Sequence, residues 1–183
     1  MKRDERLRML LEAERKYLVR KLPDWSVVKP RVLHISQEYL TQDPEHPERV
    51  ERLRTVTVGD PLVGVKRYYH TIKVHLGPGE NDEAESEIEV EAYRRLLDRL
   101  DPDAEVVHKT RYVFEWEGST FELDEFIGPS WVHGLLMLEV ELPSIDTEVV
   151  VPPFVRVERE VTGEKKYTNW AIARGEGWNL SVW

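Results

Sequence analysis

Apolar and polar residues alternate with a period of two along most of this chain, the period of β-strands, whose successive side chains point to opposite faces. It predicts strands over Leu10–Leu18, Val32–Leu40, Arg49–Val58, Lys66–Leu76, Glu83–Ile88, Val106–Trp116, Thr120–Phe126 and Leu135–Leu142. Turn-forming residues punctuate them at Gly59-Asp60-Pro61, Gly77-Pro78-Gly79 and the hairpin-like Glu117-Gly118. Helical spacing occurs in two places. Tyr93, Leu96, Leu97 and Leu100 share a face of a helix over Val90–Leu100 that Asp101-Pro102 stops, and Arg6, Leu7, Met9 and Leu10 give a short amphipathic helix over Met1–Leu10. The end after Arg174 reads as irregular. No repeat or linker interrupts the pattern, so the expectation is one domain over residues 1–183, α+β in class and mainly antiparallel β.

The polar half of the alternation is charged. Glu12, Glu14 and Lys16 share a strand face; so do Arg52 and Arg54, Glu83, Glu85 and Glu87, Lys109 and Arg111, Glu122 and Asp124, and Glu139 and Glu141. On any one strand the solvent face of an open sheet explains such residues. Leu135–Leu142 resists that explanation, because it is apolar on both faces except for Glu139 and Glu141, and a buried carboxylate is costly unless paired or metal-bound. A closed barrel of about eight strands with a wet bore resolves the difficulty, since such a bore holds side chains and one small ligand.

The 183 residues suffice for one sizeable core, and a chain 33% charged and 40% apolar is expected to fold by itself. A net charge of −9 argues against sequence-independent nucleic-acid binding, so a polyanionic ligand needs a local basic site. Without cysteine, any metal must take oxygen or imidazole ligands, which favours a hard cation. His34, His46, His70, His75, His108 and His133 show no metal-binding spacing, and Trp116, Trp131, Trp170, Trp178 and Trp183 read as packing residues. Lys165 and Lys166 read as a solvated turn. No apolar run approaches the roughly 20 residues of a membrane helix, and the start of the chain leads into no signal core, so a cytoplasmic protein without a membrane partner is expected.

The order of the charged pairs resembles the CYTH, or triphosphate tunnel metalloenzyme, family. Its E-x-E-x-K signature stands at Glu12-Ala13-Glu14-Arg15-Lys16, followed by Q-x-Y-L at Gln37–Leu40, R-x-R at Arg52–Arg54, T-x-K at Thr71–Lys73 and E-x-E at Glu83–Glu85. K-T-R-Y at Lys109–Tyr112, E-x-D at Glu122–Asp124, E-x-E at Glu139–Glu141, R-E-V-T-G at Arg159–Gly163 and Y-x-N at Tyr167–Asn169 complete the series over nearly the whole chain. Two positions depart: Asn81 and Val56 stand where many members carry arginine. The spacing from Lys73 leaves Glu83 with Glu85, or Glu85 with Glu87, as the central pair.

The resemblance implies a closed tunnel barrel with a few flanking helices, hydrolysing an inorganic, nucleoside or other organic triphosphate with Mg²⁺ or Mn²⁺. It implies phosphate binding by Lys16, Arg52, Arg54, Lys73, Lys109 and Arg111, a catalytic group of Glu12, Glu14 and Lys73, and metal binding by Glu12, Glu14, Glu85, Asp124, Glu139 and Glu141. Arginine suits phosphate through paired hydrogen bonds, and carboxylate oxygens suit hard ions. ATP cyclisation of the adenylate cyclase type and non-catalytic polyphosphate binding are the rival readings. A homodimer stays open.

Overall fold

The period-two segments close into a wall. The computed structural model describes residues 10–178, with strands β1 (Leu10–Val19), β2 (Arg31–Tyr39), β3 (Arg49–Val58), β4 (Val65–Gly77), β5 (Glu80–Ile88), β6 (Val107–Trp116), β7 (Ser119–Gly128), β8 (Leu136–Leu142) and β9 (Val157–Glu160). They form one antiparallel sheet ordered β5-β4-β3-β2-β6-β7-β8-β1-β9, and an additional β5–β1 pairing closes the first eight into a barrel. The β5–β1 ladder runs over Leu10–Ala13 of β1 and joins the two edges of the sheet, which is how a barrel disposes of unpaired backbone groups. The β6–β7 hairpin turns on Glu117 and Gly118, at φ 46° and 78°. Two consecutive left-handed residues match the twist of the flanking strands.

Most strand bounds fall within two residues of expectation, and β3 coincides with it. β5 starts earlier than the alternation indicated, because the polar run Glu80–Asp82 pairs with β1 (Ala13 opposite Glu80, Leu11 opposite Asp82). The expected helix over Val90–Leu100 is α1 (Val90–Leu96) tightening into a 3₁₀ turn over Leu97–Arg99. A residue before proline disfavours the helical region, so the winding ends short of Asp101-Pro102. β9 and helix α2 (Asn169–Arg174) were not expected. The helix anticipated over Met1–Leu10 falls outside the described residues apart from Leu10, which opens β1.

The apolar core lies outside the wall and at one end of it. On the outer face of β1, β6, β7 and β8, Tyr17, Phe114, Phe121, Leu123, Leu138 and Val140 are covered by the segments carrying Trp25, Val28, Phe154 and Val155. α1 packs Tyr93 against Leu53 of β3, Leu40 just beyond β2 and Tyr68 of β4. A third cluster joins α2 (Ile172, Ala173) to Tyr39, Val107, Phe126, Met137 and Val161 at the end of the barrel. Away from that end the apolar side chains point outward, and the alternation leaves charge within.

Candidate active site

The inward faces of the barrel strands surround a cavity of about 280 Å³. Its wall carries Glu12, Glu14 and Lys16 of β1, Arg52 and Arg54 of β3, Lys73 of β4, Glu83 and Glu85 of β5, Lys109 and Arg111 of β6, Glu122 of β7, and Glu139 and Glu141 of β8. Side chains alternate across a strand, and register places acids beside bases: Lys16 faces Glu139, Lys73 faces Glu83 and Arg111 faces Asp124. A second chamber of about 340 Å³ adjoins this one and shares Glu14, Lys16, Arg52, Lys73 and Asn169 with it. Its remaining wall sets Tyr39, Val50, Val161, Tyr167 and Trp170 beside His75, Asn81, Glu164 and Lys165, so aromatic and aliphatic surface there is mixed with polar groups.

Each cation in the bore has a carboxylate. Lys16 Nζ donates to Glu139 Oε1 at 2.7 Å and lies 3.3 Å from Glu14. Lys73 Nζ donates to Glu12 Oε2 at 2.6 Å and sits 3.0 Å from Glu83. Arg54 Nη2 donates to both oxygens of Glu85 at 2.6 and 2.7 Å, while Arg52 reaches Glu83 at 3.2 Å. Arg111 donates to both oxygens of Asp124 (2.6 and 2.7 Å), to Glu139 at 3.0 Å and to Glu122. The Nε atoms of Arg52 and Arg54 are buried without a hydrogen-bond partner among the described residues, and an anionic oxygen would satisfy both.

Burial and pairing compete differently at each group. Desolvation opposes ionisation of Glu139, but the charges of Lys16, Lys109 and Arg111 outweigh it and hold the carboxyl well below the usual range. Burial prevails at Glu12, which is pushed up to about 7 despite Lys73, with Glu83 and Glu14 adding repulsion. Burial also raises Glu141, and its neighbours Glu122, Glu14 and Glu83 raise it further. Lys109 is drawn down to about 8 by burial, against the pull of Asp124.

The bore thus gathers the expected residues Glu12, Glu14, Lys16, Arg52, Arg54, Lys73, Glu85, Lys109, Arg111, Glu139 and Glu141 on one wall. Asp124 stands behind it: fully buried, it binds Arg111 through Oδ1 and both Lys109 (2.5 Å) and Arg111 through Oδ2. Register puts Glu83 and Glu85 on the cavity wall, where Lys73 faces Glu83 and Thr71 faces Glu85, whereas Glu87 faces Tyr69 and lies 3.7 Å from Arg67, off the wall. Among the described residues, no three carboxylates or imidazoles stand together as a ready metal cage.

Three wall residues had no assigned role. Gln37 donates to the Tyr39 hydroxyl at 2.6 Å, Asn169 accepts from Lys109 Nζ at 3.4 Å, and Thr120 donates to Glu115 at 2.7 Å. The Q-x-Y-L and Y-x-N elements and the parity of Thr120 with Glu122 were the signals available for them.

No protein-family model matches the chain. An inorganic triphosphatase of Acetivibrio thermocellus is 39% identical over 87 residues, 48% of this chain and 53% of the relative, so the chain spans about half of that protein. An inorganic triphosphatase of Nitrosomonas europaea is 32% identical over 165 residues, 90% of this chain and 97% of the relative. The chain belongs to the CYTH, or triphosphate tunnel, family. A crystal structure of an inorganic triphosphatase, 31% identical over 91% of this chain and 96% of that one, superposes with a TM-score of 0.58. The tunnel fold extends to a Pyrococcus horikoshii protein, 22% identical over 73% of this chain and 78% of that one, at a TM-score of 0.52.

Proposed function

We propose that this chain hydrolyses a triphosphate inside its bore, with inorganic triphosphate the leading substrate. The observation that carries the reading is the bore itself, where Lys16, Arg52, Arg54, Lys73, Lys109 and Arg111 converge on one cavity of about 280 Å³. A triphosphate carries several negative charges, and phosphoryl transfer needs positioning and neutralisation more than covalent help. In this reading Arg52, Arg54 and Arg111 fork onto phosphate oxygens, and Lys16, Lys73 and Lys109 act as point charges. Ligand oxygens would take over the cations' bonds, leaving the carboxylates free to hold a metal ion.

The donor set fits Mg²⁺ or Mn²⁺. Glu141 has no cation within salt-bridge distance among the described residues, and Glu122, Glu14 and Glu83 crowd it, so a divalent ion would relieve their repulsion. Glu12, Glu14, Glu85, Glu139 and Glu141 are the proposed ligands, while Asp124 braces Lys109 and Arg111 from behind. When bound, the ion supplies neutralisation at phosphate oxygens and an attacking water of lowered pKa. Lys73, set among Glu12, Glu14 and Glu83, holds the reacting phosphoryl group beside the Glu12–Glu14 pair.

The second chamber supports a further reading in which the substrate is an organic triphosphate. Its phosphates would occupy the bore and its ring the space beside Tyr39, Val50 and Trp170. No helix among the described residues is long and apolar enough to cross a membrane, and a cytoplasmic location is part of the proposal. The test is product analysis on inorganic triphosphate, ATP and thiamine triphosphate with Mg²⁺, Mn²⁺ or EDTA. Orthophosphate released only with metal is expected. Pyrophosphate with a cyclic nucleotide would assign cyclisation, and binding without turnover would assign a polyanion sensor.

A further inference from the structure

Strand β1 changes neighbours part-way along the bore. Its ladder with β5 ends at Ala13 and its ladder with β9 begins at Tyr17, while β8 stays paired on the other side from Ala13 to Leu18. No strand therefore pairs with this edge over residues 14–16, the stretch that aims Glu14 and Lys16 into the bore. Three bonds fill the gap. Glu14 N donates to Gly79 O at 2.8 Å, Val161 N donates to Lys16 O at 2.8 Å, and Lys16 N donates to the hydroxyl of Thr162 at 3.1 Å. The first two are backbone bonds; the third rests on a side chain, where a barrel ordinarily supplies a carbonyl.

We infer that Thr162 is a positioning residue of the bore: its hydroxyl closes the seam at the Lys16 amide and so fixes where Glu14 and Lys16 point. The hydroxyl is held from two sides, because it also donates to Glu160 Oε1 at 2.6 Å, and its hydrogen is thereby committed away from the cavity. The surroundings leave it little room. A Cβ on Gly79 would stand 2.6 Å from Glu14 O and 2.8 Å from Thr162 Cγ2, and a Cβ on Gly163 would stand 2.7 Å from Pro78 Cβ. The turn between β4 and β5 and the segment after β9 are thus pressed against each other and against β1. Lys16 Nζ lies 2.7 Å from Glu139 and 3.3 Å from Glu14, so a backbone displacement at Lys16 moves two opposite charges together. Displacements of about 1 Å at such groups cost on the order of a hundredfold in rate.

The inference rests on the proposed triphosphate chemistry for its ligand, and the experiment separates the two. Thr162→Val removes the hydroxyl at nearly constant shape, Thr162→Ser keeps it, and Phe114→Leu weakens the outer core away from the bore. Binding of inorganic triphosphate in EDTA is measured by calorimetry, hydrolysis by phosphate release, and stability by thermal unfolding. Thr162→Val is expected to weaken binding about tenfold and to lower kcat, Thr162→Ser to stay within about twofold of the natural chain, and Phe114→Leu to lose stability alone. Natural binding by Thr162→Val, equal impairment of Thr162→Ser, or equal loss of binding in Phe114→Leu would each overturn the inference. If the natural chain binds no triphosphate, the proposed function fails, and the seam is read from hydrogen exchange at the Lys16 amide. Exchange should be about tenfold faster in Thr162→Val only, and unchanged exchange would overturn the inference.

Discussion

The two halves of the bore wall use the same residue types under different conditions. Around Asp124, on β6, β7 and β8, lies a sealed cluster: the Lys109 and Asp124 side chains are 1% and 0% exposed, and Arg111 spreads its donors over Asp124, Glu122 and Glu139, while Glu122 and Glu141 at the edge of the cluster stay open to solvent. On β1, β3, β4 and β5 no charge is sealed so completely: Lys16 and Glu14 are 12% and 13% exposed, Lys73 and Glu12 23% and 20%, and Glu85 27%. A sealed network holds its geometry because breaking any member strands a charge in low dielectric, whereas a partly hydrated pair exchanges partners at small cost. The cluster around Asp124 is therefore a fixed anchor, and the more hydrated pairs elsewhere on the wall are the ones a ligand could displace at least cost.

The largest effect should come from the anchor. Asp124→Asn leaves Lys109 and Arg111 buried beside a neutral amide, and removing one partner of a buried ion pair costs about 3–5 kcal/mol. Chemical denaturation should show a loss of that order. A loss below about 1 kcal/mol would mean that the two halves do not differ as described.

Glu12 should respond in the opposite direction and by less. Its carboxyl is raised to about 7 in the folded chain, so folding binds its proton more tightly than the unfolded state does. Its contribution to stability is full below the ordinary carboxylate pKa and is lost as pH rises through about 7. Glu12→Gln should thus stabilise the metal-free protein by about 2 kcal/mol at pH 8, and flatten the decline of stability between about pH 5 and 8. Glu139, held well below the ordinary range, has the reverse sign: its contribution is present at neutral pH and is lost on acidification. A Glu12→Gln variant less stable than the natural chain at pH 8 would contradict the assignment.

Much of this arrangement was legible because two periods coincide: residues that alternate as β-strand also alternate in charge. β3 and the inward set Arg52 and Arg54 follow from that alone. The part that was hidden depends on contacts between distant segments. β9 is four residues long and mostly exposed, too short to show a period. α2 spans six residues, and its signals were caps: the Thr168 side chain accepts from Ala171 N, and Gly175 closes the helix at φ 67°. Asp124 shares the parity of Glu122, so alternation alone could not show that Lys109 and Arg111 would enclose it behind the wall. Thr162 meets Lys16 across 146 residues of sequence, a contact no local pattern contains.

The central claim, that the bore is a metal-dependent triphosphatase site, is tested most directly on the Glu139→Gln, Glu141→Gln double variant. Once circular dichroism shows it folded, phosphate release from inorganic triphosphate is measured across Mg²⁺ and Mn²⁺ concentrations beside the natural chain. The account predicts metal-dependent release by the natural chain and a loss of about a hundredfold or more in the variant. A folded double variant that releases phosphate at the natural rate would contradict it.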